Sequence, residues 1–115
     1  MSHEKLTVAV DLDGVLNLYD GWKSADYFHP PRPGAAEFLR TLGAEGYRVI
    51  VFTVRWAEHV EQWLDQNGLR EFVAEVTDKK PVAHVYLDDH AVCFRGDFDQ
   101  ALRQIRSFKP HWETR

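Results

Sequence analysis

Two apolar runs in this chain end in paired aspartates, and this repetition constrains the fold more than any other feature. The first run is "TVAVDLDGV" (residues 7–15), and the second is "HVYLDD" (residues 84–89). Carboxylates are costly at the end of a buried strand unless they have partners. A strand-ending turn explains one such pair, but two matching pairs favour a catalytic or metal-binding site.

Strand-like and helix-like segments alternate along the chain. Runs rich in β-branched and aromatic residues predict the strands, which are residues 6–12, 47–54, 71–76, 83–89 and, as a short fifth, 91–94. Apolar residues at helical spacing predict the helices, which are residues 33–46, 55–68 and 97–108. This alternation predicts an α/β fold of the three-layer, Rossmann-like type, with a mainly parallel central sheet.

Length and composition predict a single domain over residues 1–115. The chain has 115 residues, of which 44% are hydrophobic and 28% charged, as is ordinary for one globular core. Residues 15–32 are aromatic, polar and rich in proline, so they predict an ordered flap after the first strand.

Charge, cysteine content and hydropathy narrow the class of protein. The formal net charge of −4 does not favour a nucleic-acid partner, although local positive potential leaves one open. The single cysteine, Cys93, can form neither an internal disulfide nor a thiolate metal cluster. No segment approaches the roughly 20 apolar residues of a membrane span. We expect a soluble, cytoplasmic protein with no membrane partner.

The acidic pairs and one hydroxyl share a position relative to the predicted strands. Asp11 and Asp13 follow the first strand, Thr53 ends the second, and Asp88 and Asp89 end the fourth. Ligands of open parallel sheets bind beyond the carboxyl ends of the strands. If these strands are neighbours, all five side chains converge on one edge of the sheet.

The chemistry of such a cluster points to phosphate. Several carboxylates at one edge repel one another and are stabilised by a cation, and oxygen ligands favour Mg²⁺ before Ca²⁺. Thr53 and Lys80 supply the donor and the positive charge that a transferring phosphoryl group needs. One aspartate could then serve as nucleophile, and a second, two residues on, could carry the proton.

The order of these motifs resembles that of the haloacid dehalogenase superfamily of phosphotransferases. The matching segments are "DLDGV", Thr53 in "VFTVR", Lys80 in "KKP" and the late "YLDD", and together they span residues 8–89. The chain has no room for the cap domain of larger members, so it resembles the small capless (C0-type) phosphatases. Such members act on large substrates or cover the site with a partner subunit, which leaves a homo-oligomer open.

The resemblance implies a role for each matched residue. Asp11 is the expected nucleophile, forming an aspartyl-phosphate, and Asp13 the expected general acid and base. Thr53 would hold a phosphoryl oxygen, and Lys80 would offset negative charge. Only seven positions separate Lys80 from the last acidic pair, so Lys79 stays open as the catalytic lysine.

The same resemblance implies a Mg²⁺ site and a phosphorylated substrate. The expected metal ligands are Asp11, Asp13 through its backbone carbonyl, Asp88 and Asp89. The residues expected to contact the substrate are Gly14, Val54, Arg55 and Lys79. The function predicted is a Mg²⁺-dependent phosphomonoester hydrolase, acting on a nucleotide, a polynucleotide end or a sugar phosphate.

Two other functions fit parts of the pattern. A receiver domain of the response-regulator type shares the size, Mg²⁺ and phospho-aspartate, but its motifs follow a different order along the chain. A non-catalytic binding module could keep the same fold, although Asp11, Asp13, Thr53, Lys80 and Asp88 are all intact.

Overall fold

A four-stranded, all-parallel sheet forms the centre of the computed structural model, which describes residues 6–24 and 26–113. Residues 1–5, 25 and 114–115 of the predicted domain lie outside the described residues. The strands are β1 (Thr7–Asp11), β2 (Arg48–Phe52), β3 (Glu75–Thr77) and β4 (Val85–Leu87). The predicted α/β, Rossmann-like fold is confirmed.

Three helices of ten residues each join or follow the strands. They are α1 (Ala35–Ala44), α2 (Ala57–Gln66) and α3 (Phe98–Ser107). Asp97 is the N-cap of α3, because its carboxylate accepts hydrogen bonds from the backbone N–H groups of Asp99 and Gln100. None of the described helices has the length and apolar character needed to cross a membrane.

The strand order, β3-β2-β1-β4, creates a topological switch point. The chain moves outward from β1 through β2 to β3 and then returns to the other side of β1 to form β4. Val10 pairs with Leu87 and Asp11 with Phe52, so the carboxyl ends of β1, β2 and β4 lie level. A crevice between β1 and β4 at such a point is where open α/β sheets bind ligands.

The core packs around β1 and β2. Val10 and Val51, in the middle of these strands, are fully buried, as are Val60 and Leu64 on α2. Leu12, Leu16, Leu39 and Leu69 are fully or nearly fully buried as well. This packing holds the carboxyl ends of β1 and β2 in a defined position.

The segment between β1 and α1 is the predicted flap, and it folds back on its own base. Asn17 forms an isolated antiparallel bridge with Pro31, and the Arg32 N–H donates to the Leu16 carbonyl at 2.8 Å. The far part of the flap thereby returns to the end of β1.

Two strand predictions need correction. Residues 91–94 are not a strand: Cys93 and Phe94 are exposed, so the run has no packed face to stabilise a short edge strand. The third strand starts later than predicted, because Arg70–Phe72 form a single helical turn and β3 begins at Glu75.

Candidate active site

The acidic residues of both apolar runs meet at the switch point. Asp11 is the last residue of β1, and Asp88 follows β4, whose Leu87 pairs with Val10. One side-chain oxygen or nitrogen atom from each of Asp88, Asp89 and His90 lies within 4.8 Å of the others. The predicted convergence of the two acidic strand ends is therefore observed in the structure.

Asp89 is the most enclosed member of this acidic cluster. Its side chain is 2% exposed, and Oδ2 accepts a hydrogen bond of 2.6 Å from Nε1 of Trp112. The other oxygen, Oδ1, is buried and lies 3.1 Å from Nδ1 of His90, which forms an ion pair with it when the ring is protonated. Among the described residues, no hydrogen bond of good geometry reaches this oxygen, which is uncommon for a buried carboxylate.

Electrostatics at Asp11 reflect the same crowding. The pKa of Asp11 is raised from 3.8 to about 8, chiefly by burial. The further causes are, in order, the charges of Asp88 and Asp89, a hydrogen bond with Asp89 and the charge of Asp13. Desolvation and like charges both disfavour an ionised carboxylate, and a cation among the carboxylates would remove much of that cost.

Asp13 lies beside the cluster in a bidentate ion pair with Arg55. Nε of Arg55 donates to Oδ2 at 2.8 Å, and Nη2 donates to Oδ1 at 3.1 Å. Oδ1 also accepts a hydrogen bond of 3.0 Å from Nδ2 of Asn17. The fork geometry of the guanidinium fixes the plane of the Asp13 carboxylate.

Aromatic rings and a backbone carbonyl enclose Arg55. Its side chain is 1% exposed, its guanidinium carbon lies 4.5 Å from the ring centre of Phe28 and 4.9 Å from that of Trp22, and Nη1 donates to the Ser24 carbonyl. Arg55 is therefore buried rather than solvated, and its side chain links the flap to Asp13.

Thr53 and Gly14 support the backbone next to the acidic side chains. The Thr53 hydroxyl is buried and accepts a hydrogen bond of 3.0 Å from the backbone N–H of Arg55. Gly14 has a φ of +91°, and a Cβ atom there would overlap the Asp89 carboxylate. Only glycine readily adopts a positive φ and also lacks the Cβ atom that would overlap Asp89. The turn after β1 can therefore approach the loop after β4.

The lysines lie apart from the acidic side chains. The Lys80 ammonium is 4.8 Å from the ring centre of Tyr86, and Lys79 is exposed. Within residues 6–24 and 26–113, no hydrogen bond or ion pair joins either lysine to a carboxylate of the cluster. The catalytic lysine stays a prediction, with both candidates open.

A cavity of about 260 Å³ opens over the carboxylates. Its walls include the aromatic rings of Tyr19 and Trp22 and the side chain of Val54, which is 82% exposed. Asp11, Asp13, Phe52, Asp88 and His90 also line it. The predicted contact residue Val54 is thus at the mouth of the site, beside rings contributed by the flap.

Sequence reasoning missed three residues that contact the site. Asn17 donates to Asp13, His111 contacts the Gly14 carbonyl, and Trp112 donates to Asp89. Asn17 ends the turn that follows "DLDG", so its proximity offered a weak signal. His111 and Trp112 lie more than 20 residues from the last acidic pair, and nothing in their spacing indicated contact.

These observations define an α/β protein with an acidic cluster at the switch point of a parallel sheet. No family model and no curated protein matches the chain. It is similar to the solved structure of a conserved protein from Bacteroides thetaiotaomicron, with a TM-score of 0.61 and 22% sequence identity over 90% of this chain and 91% of that one. At this identity the likeness supports the fold alone.

Proposed function

We propose that this protein is a Mg²⁺-dependent phosphomonoester hydrolase of the haloacid dehalogenase type. The observation that carries the proposal is the meeting of Asp11, Asp88 and Asp89 at the switch point, with Asp13 beside them. Asp13 is paired with Arg55, but the crowding of Asp11, Asp88 and Asp89 beside it is costly for the fold alone, and phosphoryl transfer needs such a group of ligands and nucleophiles.

The residues fit a hard divalent cation. Asp11, Asp88, Asp89 and the backbone carbonyl of Asp13 offer oxygen ligands, which is the set that Mg²⁺ prefers. The buried Oδ1 of Asp89 receives no hydrogen bond of good geometry from the described residues, and burial followed by the neighbouring carboxylates raises the pKa of Asp11. Both features are expected of ligands whose charge a cation would balance. When bound, the cation would screen the carboxylates from the negative phosphoryl oxygens.

Asp11 is the nucleophile in this proposal. One of its carboxylate oxygens attacks phosphorus and the bond from phosphorus to the leaving oxygen breaks. Asp13, ionised beside Arg55 at rest, takes a proton from the bound phosphate monoanion and passes it to the leaving oxygen. Asp13 then takes a proton from water, whose oxygen attacks phosphorus and releases Asp11, and Asp13 passes that proton to the departing phosphate. Both aspartates end the cycle in their starting protonation states.

Hydrogen bonding at Asp13 suits it to carry this proton. Oδ1 accepts from both Arg55 and Asn17, whereas Oδ2 accepts only from Arg55 among the described donors. A carboxylate oxygen can accept at two lone pairs, so Oδ2 retains one for proton transfer. Arg55 holds the carboxylate plane, and Thr53 supports the backbone that carries Arg55.

The aromatic wall of the cavity supports a substrate with a planar leaving group. Trp22 is 58% exposed, and its ring lies over the guanidinium of Arg55. An exposed ring beside the reacting carboxylates can stack on a nucleobase. A nucleotide or a polynucleotide end is therefore the preferred substrate class, with sugar phosphates as the alternative.

A phosphatase panel with and without Mg²⁺ tests the proposal. The panel contains p-nitrophenyl phosphate, nucleoside monophosphates, sugar phosphates and end-phosphorylated oligonucleotides. We expect Mg²⁺-dependent release of phosphate, and a loss of about 10³-fold or more in kcat in Asp11→Asn. Asp65→Asn, an exposed change on α2, is the matched control and should keep wild-type activity.

Two outcomes would contradict the proposal in different ways. No turnover of any substrate by the wild-type protein would favour a non-catalytic module. Stable phosphorylation by acetyl phosphate without turnover would favour a receiver-like function.

A further inference from the structure

A short segment, residues 108–113, contacts both loops of the candidate site, and we call it the strap. Nε1 of Trp112 donates to Oδ2 of Asp89 at 2.6 Å, and Nε2 of His111 lies 2.8 Å from the Gly14 carbonyl oxygen. Because a carbonyl can only accept, this His111 nitrogen carries the hydrogen. The strap thereby joins the loop after β1 to the loop after β4.

Ring contacts reinforce the position of Trp112. Its indole meets the ring of Tyr19 edge-on, with centroids 4.9 Å apart, and the ring of His90 at 5.8 Å. Edge-to-face pairs of this kind add to the energy of simple burial. The indole is therefore held between the flap and the acidic loop, with its N–H directed at Asp89.

The loop after β4 needs such support because its strand provides little. Val85, Tyr86 and Leu87 are 50%, 44% and 39% exposed, and the strand is only three residues long. A side chain carried by this edge strand would otherwise be free to adopt several orientations. The hydrogen bond from Trp112 occupies one Asp89 oxygen, whereas the other, the buried Oδ1, lies 3.1 Å from Nδ1 of His90 and receives no hydrogen bond of good geometry from the described residues.

We infer that Trp112 is a positioning residue for the divalent-cation site, an inference that depends on the cation site of the proposed function. Its indole N–H fixes Oδ2 of Asp89, so that Oδ1 is presented to the cation. Partners that orient metal ligands in this way commonly contribute 10-fold to 100-fold to metal affinity.

Calorimetric titration of the full chain with Mg²⁺, in the absence of substrate, tests this role. Trp112→Phe keeps a ring and removes the N–H, and we expect it to weaken Mg²⁺ binding about 10-fold to 100-fold. Trp63→Phe is the matched control: its Nε1 donates to the His29 carbonyl at 3.2 Å, away from the cluster. That variant should bind Mg²⁺ as the wild-type protein does.

A fluorescence titration separates positioning from a general loss of structure. In a Trp22→Phe background, which removes the indole that lines the cavity itself, Mg²⁺ should still change the tryptophan emission, because Trp112 contacts a proposed ligand. Adding Trp63→Phe to this background should keep the change, and adding Trp112→Phe should abolish it. Thermal unfolding without Mg²⁺ should show Trp112→Phe folded and no less stable than Trp63→Phe, since the Trp63 indole is the more deeply buried.

The outcomes distinguish this inference from the proposed function. If Trp112→Phe binds Mg²⁺ with wild-type affinity, the positioning role is wrong while the hydrolase proposal stands. If Trp63→Phe loses the same affinity, the effect is structural and the inference is also wrong. If the wild-type protein binds no Mg²⁺, the cation site itself is wrong, and both proposals fall.

Discussion

Two regions of the sheet, the central strands β1 and β2 and the edge strand β4, differ sharply in how much apolar packing stabilises them. Around β1, β2 and α2, side chains such as Val10, Val51 and Leu64 are fully buried. On the other side, β4 is half exposed, and none of the ten residues of α3, all of them described, is buried. We call the region of β1, β2 and α2 the packed half and the region of β4 and α3 the exposed half. The packed half is stabilised by apolar contacts, whereas the exposed half is stabilised by individual polar contacts.

The candidate site lies on the boundary between these halves. Asp11, Asp13 and Thr53 belong to the packed half, where burial of their neighbours sets their positions. Asp88 and Asp89 belong to the exposed half, where the strap and the pairing of β4 with β1 set them. The comparison teaches that packed neighbours surround the proposed nucleophile, Asp11, while the positions of the proposed metal ligands Asp88 and Asp89 depend on a few hydrogen bonds.

The largest expected effect in the packed half concerns the ion pair of Arg55 with Asp13. Removing one partner of a buried pair leaves an uncompensated charge, so Arg55→Met should lower the free energy of unfolding by about 3–5 kcal/mol. Arg55→Lys keeps the charge but loses the two-point contact, and its cost should be smaller but measurable. Chemical denaturation of both variants gives these values.

A cost below about 1 kcal/mol for Arg55→Met would contradict this account, because it would place the pair among solvent-exposed ion pairs. It would also mean that the packed half does not hold Asp13 in position.

Paired leucine truncations test the contrast between the halves directly. Leu64→Ala on α2 should cost about 2–5 kcal/mol, because the side chain is fully buried. Leu102→Ala on α3 should cost less than about 1 kcal/mol, because that side chain is 44% exposed. Equal costs in urea denaturation would show that the apolar face of α3 is covered in solution, for example by a second copy of the chain.

A smaller effect concerns the pH dependence of stability without divalent cations. Because the pKa of Asp11 is raised from 3.8 to about 8, the folded state binds more protons than the unfolded state between these values. Stability should therefore fall as pH rises through this range, and Mg²⁺ should restore it. Asp11→Asn should flatten the profile and be more stable than the wild-type protein near pH 8 by about 1–3 kcal/mol.

Thermal unfolding across this pH range, with Asp65→Asn as the control, measures the effect. Parallel profiles for the wild-type protein and Asp11→Asn would show that the crowding of carboxylates around Asp11 has no energetic consequence.

Much of the packed half could be predicted from the sequence. Strands β1 and β2 are continuous apolar runs, and α2 repeats Val60, Trp63 and Leu64 at helical spacing, so periodicity and burial agree. The convergence of Asp11 with Asp88 followed from the rule that ligands gather at the carboxyl ends of parallel strands.

The exposed half and the outer contacts of the site were harder to predict. Phe98, Leu102 and Ile105 form the apolar stripe expected of α3, but an apolar stripe specifies burial only when a partner surface is present, and these side chains are 44–78% exposed. The contacts of Trp112 with Asp89 and of Arg55 with Asp13 join residues 23 and 42 positions apart. Local patterns carry no information about such pairs.

The most direct test of the central claim is a search for phosphate bound covalently to Asp11. The wild-type protein is mixed with its best substrate and Mg²⁺, quenched in acid during the first turnovers, and digested for peptide mass spectrometry. The account predicts one phosphoryl group on the peptide that contains Asp11, which disappears in Asp11→Asn and persists in Asp65→Asn. Rapid turnover with no phosphorylated Asp11, or with full activity retained in Asp11→Asn, would contradict it.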